Sequence, residues 1–219
     1  VQPIVNRYFE NLEKKLSDVG LNCAFTAMQS NGGTTSFNWA KEHPITLVES
    51  GPAAGVNGAV LVGSLCNKNN IIYFDVGGTT TKCALIEDGK PKVTTEYKIE
   101  YTKFNPGYPI RVPVTDLVEI GAGGGSIAWF DTGGSLKVGP KSAGADPGPA
   151  SYNNGGEEPT ITDAKLLTGV INPKNFASGQ FDLRKDLAEK AVSKIAKGLN
   201  VDLVSAASSI VRVAEANMI

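Results

Sequence analysis

From Pro3 to Val19 the apolar residues Ile4, Val5, Tyr8, Phe9, Leu12, Leu16 and Val19 recur at three- and four-residue steps. That period predicts an amphipathic helix, and Gly20 just after it reads as the stop. Cys23 to Met28 reads as a short strand ending in the turn Ser30-Asn31-Gly32-Gly33, followed by a brief polar helix near Ser36 to Glu42. Ile45 to Val48 predicts another strand. After it, Ser50 is an N-cap candidate, Pro52 sits near the first helical position, and the small, aliphatic residues from Ala53 to Leu65 predict a close-packed, buried helix.

Ile71-Ile72-Tyr73-Phe74 is a continuous apolar run, the pattern of a strand buried on both faces. Lys82 to Glu87 and Lys92 to Ile99 are two further strands joined at Asp88-Gly89. Glycine then dominates, in Gly121-Ala122-Gly123-Gly124-Gly125, in Thr132-Gly133-Gly134, and in a loop from Gly139 to Pro149 that is too long to be a mere connection. The rest reads as helical: Thr162 to Leu167, Leu183 to Ile195, and a last helix capped by Asp202 that runs toward Ile219 without a stop signal, as if cut inside it. The class is α/β, a mixed sheet with flanking helices.

Composition narrows the function. Twenty-one Lys plus Arg against twenty-two Asp plus Glu leave a net charge of −1, which gives no electrostatic reason to expect nucleic acid or an anionic membrane. Three scattered cysteines, Cys23, Cys66 and Cys83, and the single His43 suggest neither a disulfide framework nor a zinc site, and fit a reducing cytoplasm. The cysteines lie in apolar runs and read as inert; His43 reads as a surface residue. No run approaches ~18 apolar residues, and the start has no basic and apolar leader pattern.

The segment richest in chemistry is Ile71 to Ile86: a strand, Asp75 at its end, Gly77-Gly78, the hydroxyl residues Thr79, Thr80 and Thr81, and a second strand. Gly77 and Gly78 can take backbone angles closed to other residues, turning consecutive N–H groups toward one anion with no Cβ in its way, while the threonines add hydroxyl donors. Asp75 would hold Mg2+ through water rather than touch phosphate. The plainer alternative is a hairpin with glycines in its turn. No Gly-Lys-Ser/Thr follows four variable residues, so this is not a Walker A loop.

Glu49-Ser50-Gly51-Pro52-Ala53-Ala54-Gly55-Val56 followed by the Asp75 hairpin resembles the connecting helix and second phosphate loop of the actin-like ATPases, which have a ribonuclease H-like fold. Within that group, Met28-Gln29-Ser30-Asn31-Gly32-Gly33, Ser50 to Val56, Gly107-Tyr108-Pro109, Gly121 to Trp129 and Ser142 to Ala150 look like motifs of the hydantoinase A/oxoprolinase family, in the family's order. Pro159 to Ala164 and Val211 to Met218 extend the resemblance over nearly all of residues 1–219, in approximate parts 1–44, 45–100, 101–160 and 161–219.

The resemblance implies an enzyme that uses ATP and Mg2+ to phosphorylate an amide or enolate oxygen. Its substrate would be a cyclic amide, as in hydantoinases and 5-oxoprolinases, or a ketone, as in acetone- and acetophenone-type carboxylases. It implies a second hydantoinase-type subunit or fused half, and a chain that is an internal piece, inactive alone, with a further phosphate loop upstream and an adenine-facing loop beyond Met218. A non-enzymatic nucleotide-binding module is the third reading; the Gly139 to Ala150 loop argues against it.

The residues expected to matter are Asp75 and Asp146 for catalysis, Gly77, Gly78, Thr79, Thr80 and Thr81 for the nucleotide, and Gly123, Gly124, Gly125 and Ser126 for substrate. The N–H groups of this last loop can meet an anion, although such glycines also serve sharp bends. Lys82, Glu119 and Ser151 stand where the family often has an acidic residue, a histidine and a cysteine. These departures bear on substrate identity and on a further divalent metal at Asp116. Lys82 alternates outward along a strand or meets a phosphate, the first being the default. Asp163 reads as a favourable charge at a helix start.

Overall fold

A computed structural model describes residues 1–99, 104–179 and 182–219. The expected boundary at 100 and 101 lies outside them. The chain divides into two compact units, Val1–Asp75 with Cys83–Val118, and Val76–Lys82 with Glu119–Ile219.

The first unit opens with α1 (Gln2–Asp18), ended as predicted by Gly20 in the left-handed region at φ 84°. Phe9, its one fully buried residue, meets Phe37 at a ring-centroid distance of 4.6 Å. Phe37 starts α2 (Phe37–Glu42), which follows the antiparallel pair β1 (Thr26–Met28) and β2 (Thr34–Ser36) and is capped by the Ser36 hydroxyl. His43 stacks on Trp39 in this same region.

The strand expected over Ile45 to Val48 is instead a 3-10 turn over Pro44–Leu47. Pro44 fixes φ at its start, and Thr46 bonds back through its hydroxyl to the His43 carbonyl, so the backbone closes locally rather than onto a sheet. The next helix, α3 (Ser50–Leu65), is preceded by Glu49 in the left-handed region with no side-chain cap; Ser50 is its first residue, not its cap. Glu49 instead accepts the Tyr97 hydroxyl at 2.9 Å.

Val56, Ala59 and Val60 of α3 pack on Ala84, Ile86, Ile71 and Tyr73, residues of β3 (Ile71–Val76) and β4 (Thr81–Glu87). The close approach depends on small residues: a Cβ at Gly55 would overlap Tyr73, and one at Gly63 would overlap Ile71. Neither α3 nor β3 is buried all round. Leu61, Val62 and Leu65 face outward, and Ile72 and Phe74 are 68% and 45% exposed, so apolarity here exceeds what the packing uses.

Asp88 and Gly89, both at positive φ, turn β4 into β5 (Lys90–Pro91). The strand expected over Lys92 to Ile99 is broken into β6 (Val93–Thr94) and β7 (Lys98–Ile99), because the Thr94 hydroxyl accepts the Glu96 N–H and diverts the ladder. They pair with β9 (Val114–Thr115) and β8 (Tyr108–Pro109), respectively. Cys23 and Cys66 are exposed and Cys83 is half-buried.

After β10 (Val118–Ile120), the second unit is built on the antiparallel pair β11 (Ser126–Phe130) and β12 (Leu136–Ser142). β12 takes in Gly139 to Ser142, so the long glycine loop begins only at Ala143. The predicted C-terminal helices appear as α4 (Ile161–Leu167), α5 (Lys185–Leu199) and α6 (Leu203–Ala216). Ala128, Val138, Ile161, Val192, Ile195 and Ile210 form the main core. α6 starts as expected, with the Asp202 carboxylate accepting from the N–H groups of Val204 and Ser205, but it ends at Ala216, where the Asn217 amide donates to the Val138 carbonyl. Among the described residues no helix is long and apolar enough to cross a membrane.

Candidate functional site

In the second unit, the turn between β3 and β4 meets the loop between β10 and β11 backbone to backbone. The turn closes on itself through Gly77 N–H to Thr80 O at 3.0 Å. Gly124 N–H then donates to Gly77 O at 2.9 Å and Gly125 N–H to Gly78 O at 2.6 Å. Thr81, fully buried, donates its hydroxyl to Ala122 O at 2.6 Å. Two loops far apart in sequence are thereby locked in one register.

Neither Gly77 nor Gly78 adopts positive φ, so the expected reason for these glycines, unusual backbone angles, does not apply. Gly123 carries the strict requirement: a Cβ there would stand 2.7–2.8 Å from Thr79 C, Gly77 O and Gly78 C, all backbone atoms that cannot turn aside. Gly125 is similarly confined, 2.9 Å from Ser142 Oγ and 3.0 Å from Gly78 O. By contrast, a Cβ on Gly78 meets nothing within 4 Å.

All four N–H groups of Gly123 to Ser126 are committed inside the chain, since Gly123 donates to Ser126 Oγ and Ser126 to Gly123 O. The anion reading of this loop therefore has no open N–H to rest on; the four groups build a seat for the turn. Gly77, Gly78 and Thr79 are exposed, and among the described residues neither the Thr79 nor the Thr80 hydroxyl has a partner. Donors for a ligand thus lie on the turn.

Gly124 and Gly125 also receive bonds from behind. Gly124 O accepts both the N–H and the hydroxyl of Thr162, at 2.8 and 2.9 Å, and Gly125 O accepts the Ala143 N–H at 2.8 Å. Close by, burial is the main cause that raises the Tyr152 pKa above its usual value. Asp163 is fully buried and accepts from the N–H groups of Ala150, Ser151 and Thr160 and from the Thr160 hydroxyl. With Thr160 it forms a reciprocal cap, so the helix-start reading holds, and it additionally anchors the glycine loop.

In the first unit, the Asp75 carboxylate is exposed and accepts the Tyr73 hydroxyl at 3.2 Å. Burial, then the charge and hydrogen bond of Asp75, raise the Tyr73 pKa. Asp116 lies 3.4 Å from the Lys92 ammonium. In the second unit, Asp146 is exposed, accepting from the Asn154 amide at 3.2 Å, and no hydrogen bond joins it to the Gly77 to Thr80 turn. Lys82 does not swing free: its ammonium pairs with Glu119 at 3.0 Å and its side chain is only 16% exposed. Among the described residues no three His, Cys, Asp or Glu side chains converge as a metal site.

The sequence reading missed Thr162. The Thr160-x-x-Asp163 spacing is a legible capping signal, but nothing local announces that Thr162 reaches Gly124, thirty-eight residues away.

Comparison with known proteins bears on the family and the fold. A model of the hydantoinase/oxoprolinase family matches residues 1–219. An uncharacterized protein of Methanocaldococcus jannaschii is 43% identical over all of this chain and 33% of its own length. The caprolactamase subunit alpha of Pseudomonas jessenii is 33% identical over all of this chain and 31% of its own. The nucleotide-free structure of acetone carboxylase superposes with a TM-score of 0.80 at 28% identity, covering 97% of this chain and 29% of the other. The chain spans about a third of the length of these relatives. The expected α/β class with the actin-like fold holds, and the chain belongs to the hydantoinase/oxoprolinase family.

Proposed function

We propose that this chain is the phosphate-binding part of an ATP-dependent enzyme that opens cyclic amides by first phosphorylating the amide oxygen. The reading is carried by the turn from Gly77 to Thr80, exposed at Gly77, Gly78 and Thr79, whose two hydroxyls have no partner among the described residues, seated on Gly124 and Gly125. A seat fixed by four interlocked loop N–H groups needs no reorganisation when a charged phosphate arrives, which is what transfer of a phosphoryl group demands of a protein. The turn fits such a group: it is open to solvent, lacks side chains at Gly77 and Gly78, and offers Thr79 and Thr80 as donors.

Asp75, two residues before Gly77 in the chain, suits an ion that keeps most of its water, because its carboxylate is exposed and has a single protein donor among the described residues. Mg2+, when bound, supplies neutralisation of phosphate charge. A further divalent metal at Asp116 is not part of this reading, since the group facing that carboxylate is an ammonium, Lys92. Asp146, exposed at the glycine loop, is the candidate for proton handling in the ring-opening step.

Similarity to caprolactamase favours a cyclic amide as substrate and a second subunit as partner. Similarity to acetone carboxylase supports the alternative, in which the phosphorylated oxygen is that of a ketone enolate. The cytoplasm is the compartment this chemistry and the free thiols suit.

Titration of Mg·ATP by calorimetry tests the proposal, comparing the chain with Gly78→Val. Because a Cβ at Gly78 meets nothing and its φ is not positive, the variant is expected to fold, with its side chain on the open face where this reading puts the phosphate. Binding by the parent that the variant loses supports the phosphate turn. Equal binding by both removes it.

A further inference from the structure

We infer that Thr162 is a positioning residue for the phosphate turn, acting through Gly124. This rests on the reading of Gly77 to Thr80 as the phosphate site and extends it to a residue that touches no ligand. The connection is continuous within the second unit. Thr162 Oγ1 donates to Gly124 O at 2.9 Å, and Gly124 N–H donates to Gly77 O at 2.9 Å. The Gly124 carbonyl and the Gly125 N–H that holds Gly78 O at 2.6 Å belong to one peptide unit. Rotation of that peptide plane therefore changes both the carbonyl that Thr162 holds and the N–H that holds the turn.

A glycine at 124 would, alone, leave this plane freer than any other residue. The Thr162 N–H and hydroxyl grip the same carbonyl from the first turn of α4, whose start is itself fixed by the buried Thr160–Asp163 cap. The space is matched too, since a Cβ at Gly124 would come within 2.8 Å of Thr162 Oγ1. Thr162 thus both orients the Gly124 peptide and excludes a side chain from it.

The experiment compares Thr162→Val, which keeps the shape and loses the hydroxyl, with Thr162→Ser, which keeps the hydroxyl. Amide hydrogen exchange without nucleotide is read at Gly77 to Thr80 and Gly124 to Ser126. Thr162→Val should exchange faster there by several-fold, with α5 and α6 unchanged and Thr162→Ser close to the parent. Calorimetry with Mg·ATP should show about ten-fold weaker binding for Thr162→Val and near-parental binding for Thr162→Ser.

Unchanged exchange in Thr162→Val overturns the relay itself. Faster exchange with unaltered nucleotide affinity overturns its positioning role. Absence of Mg·ATP binding by the parent overturns the phosphate reading and the inference built on it, whatever the exchange shows. Gly124→Ala supplies a second route: its harm to turn protection should shrink when Thr162→Ala removes the atom it strikes, and purely additive effects would sink the proposed contact.

Discussion

The Gly125 amide donates to the Gly78 carbonyl at 2.6 Å, joining two glycine-rich loops forty-seven residues apart in the chain. Their approach is close enough that the loops differ in what they tolerate. Gly123→Ala would drive a Cβ into the backbone of Gly77 to Thr79, and overpacking against backbone costs about 1–3 kcal/mol. Gly78→Ala should be within about 0.5 kcal/mol of the parent, having open space and ordinary φ. Urea unfolding of both variants checks this, and equal destabilisation would mean that the turn and the loop are not packed as described.

Asp163 is the buried anchor of the second unit's loop architecture. Its two carboxylate oxygens satisfy three backbone N–H groups and one hydroxyl, and it is fully shielded from solvent. Asp163→Ala strands those donors without water and should cost about 3–5 kcal/mol. Asp163→Asn keeps the volume but points an NH2 at one of the donors, so it should cost about 2–3 kcal/mol rather than nothing. Denaturant midpoints, with proteolysis between Ala143 and Asn154, would show whether the loop is released first.

What the sequence made legible here was periodic or chemically local. α1 with its Gly20 stop, the Asp88-Gly89 hairpin, the Asp202 cap and the Gly77-Gly78 turn all announce themselves within a few residues. Ile45 to Val48 and Lys92 to Ile99 misled because a single threonine hydroxyl at each, Thr46 and Thr94, competes with the ladder for backbone bonds. The role of Gly123 was hidden differently. Its need for smallness comes from Thr79, Gly77 and Gly78, and only tertiary structure brings those atoms to it.

Ser151 carries a fully buried hydroxyl that has no hydrogen-bond partner among the described residues. A buried polar atom with no partner bears its desolvation cost without compensation, so removing it should help. Ser151→Ala is expected to leave stability unchanged or raise it by up to about 1 kcal/mol, since the backbone N–H to Asp163 remains. Ser151→Cys, less costly to desolvate, should behave similarly. A drop in melting temperature for Ser151→Ala would mean that the hydroxyl has a partner in solution.

Asp202 sets a pH dependence on α6. The Ser205 hydroxyl first, then the N–H groups of Ser205 and Val204, hold its carboxyl below the usual 3.8. A depressed carboxylate pKa contributes stability that is fully present above the unfolded value and is lost as pH falls through the folded one. Asp202→Asn keeps a capping oxygen but removes the charge at the positive end of the helix. Because the site is exposed, the gap in melting temperature between parent and Asp202→Asn at pH 6–7 should be small, about 1–2 °C at low salt. It should close as the pH falls through the folded pKa, which lies below 3.8, because the parent carboxyl is then itself neutral. Melting curves from pH 2.5 to 7 decide the matter: a gap that persists undiminished at the acid end would show that charge on Asp202 is not what caps the helix.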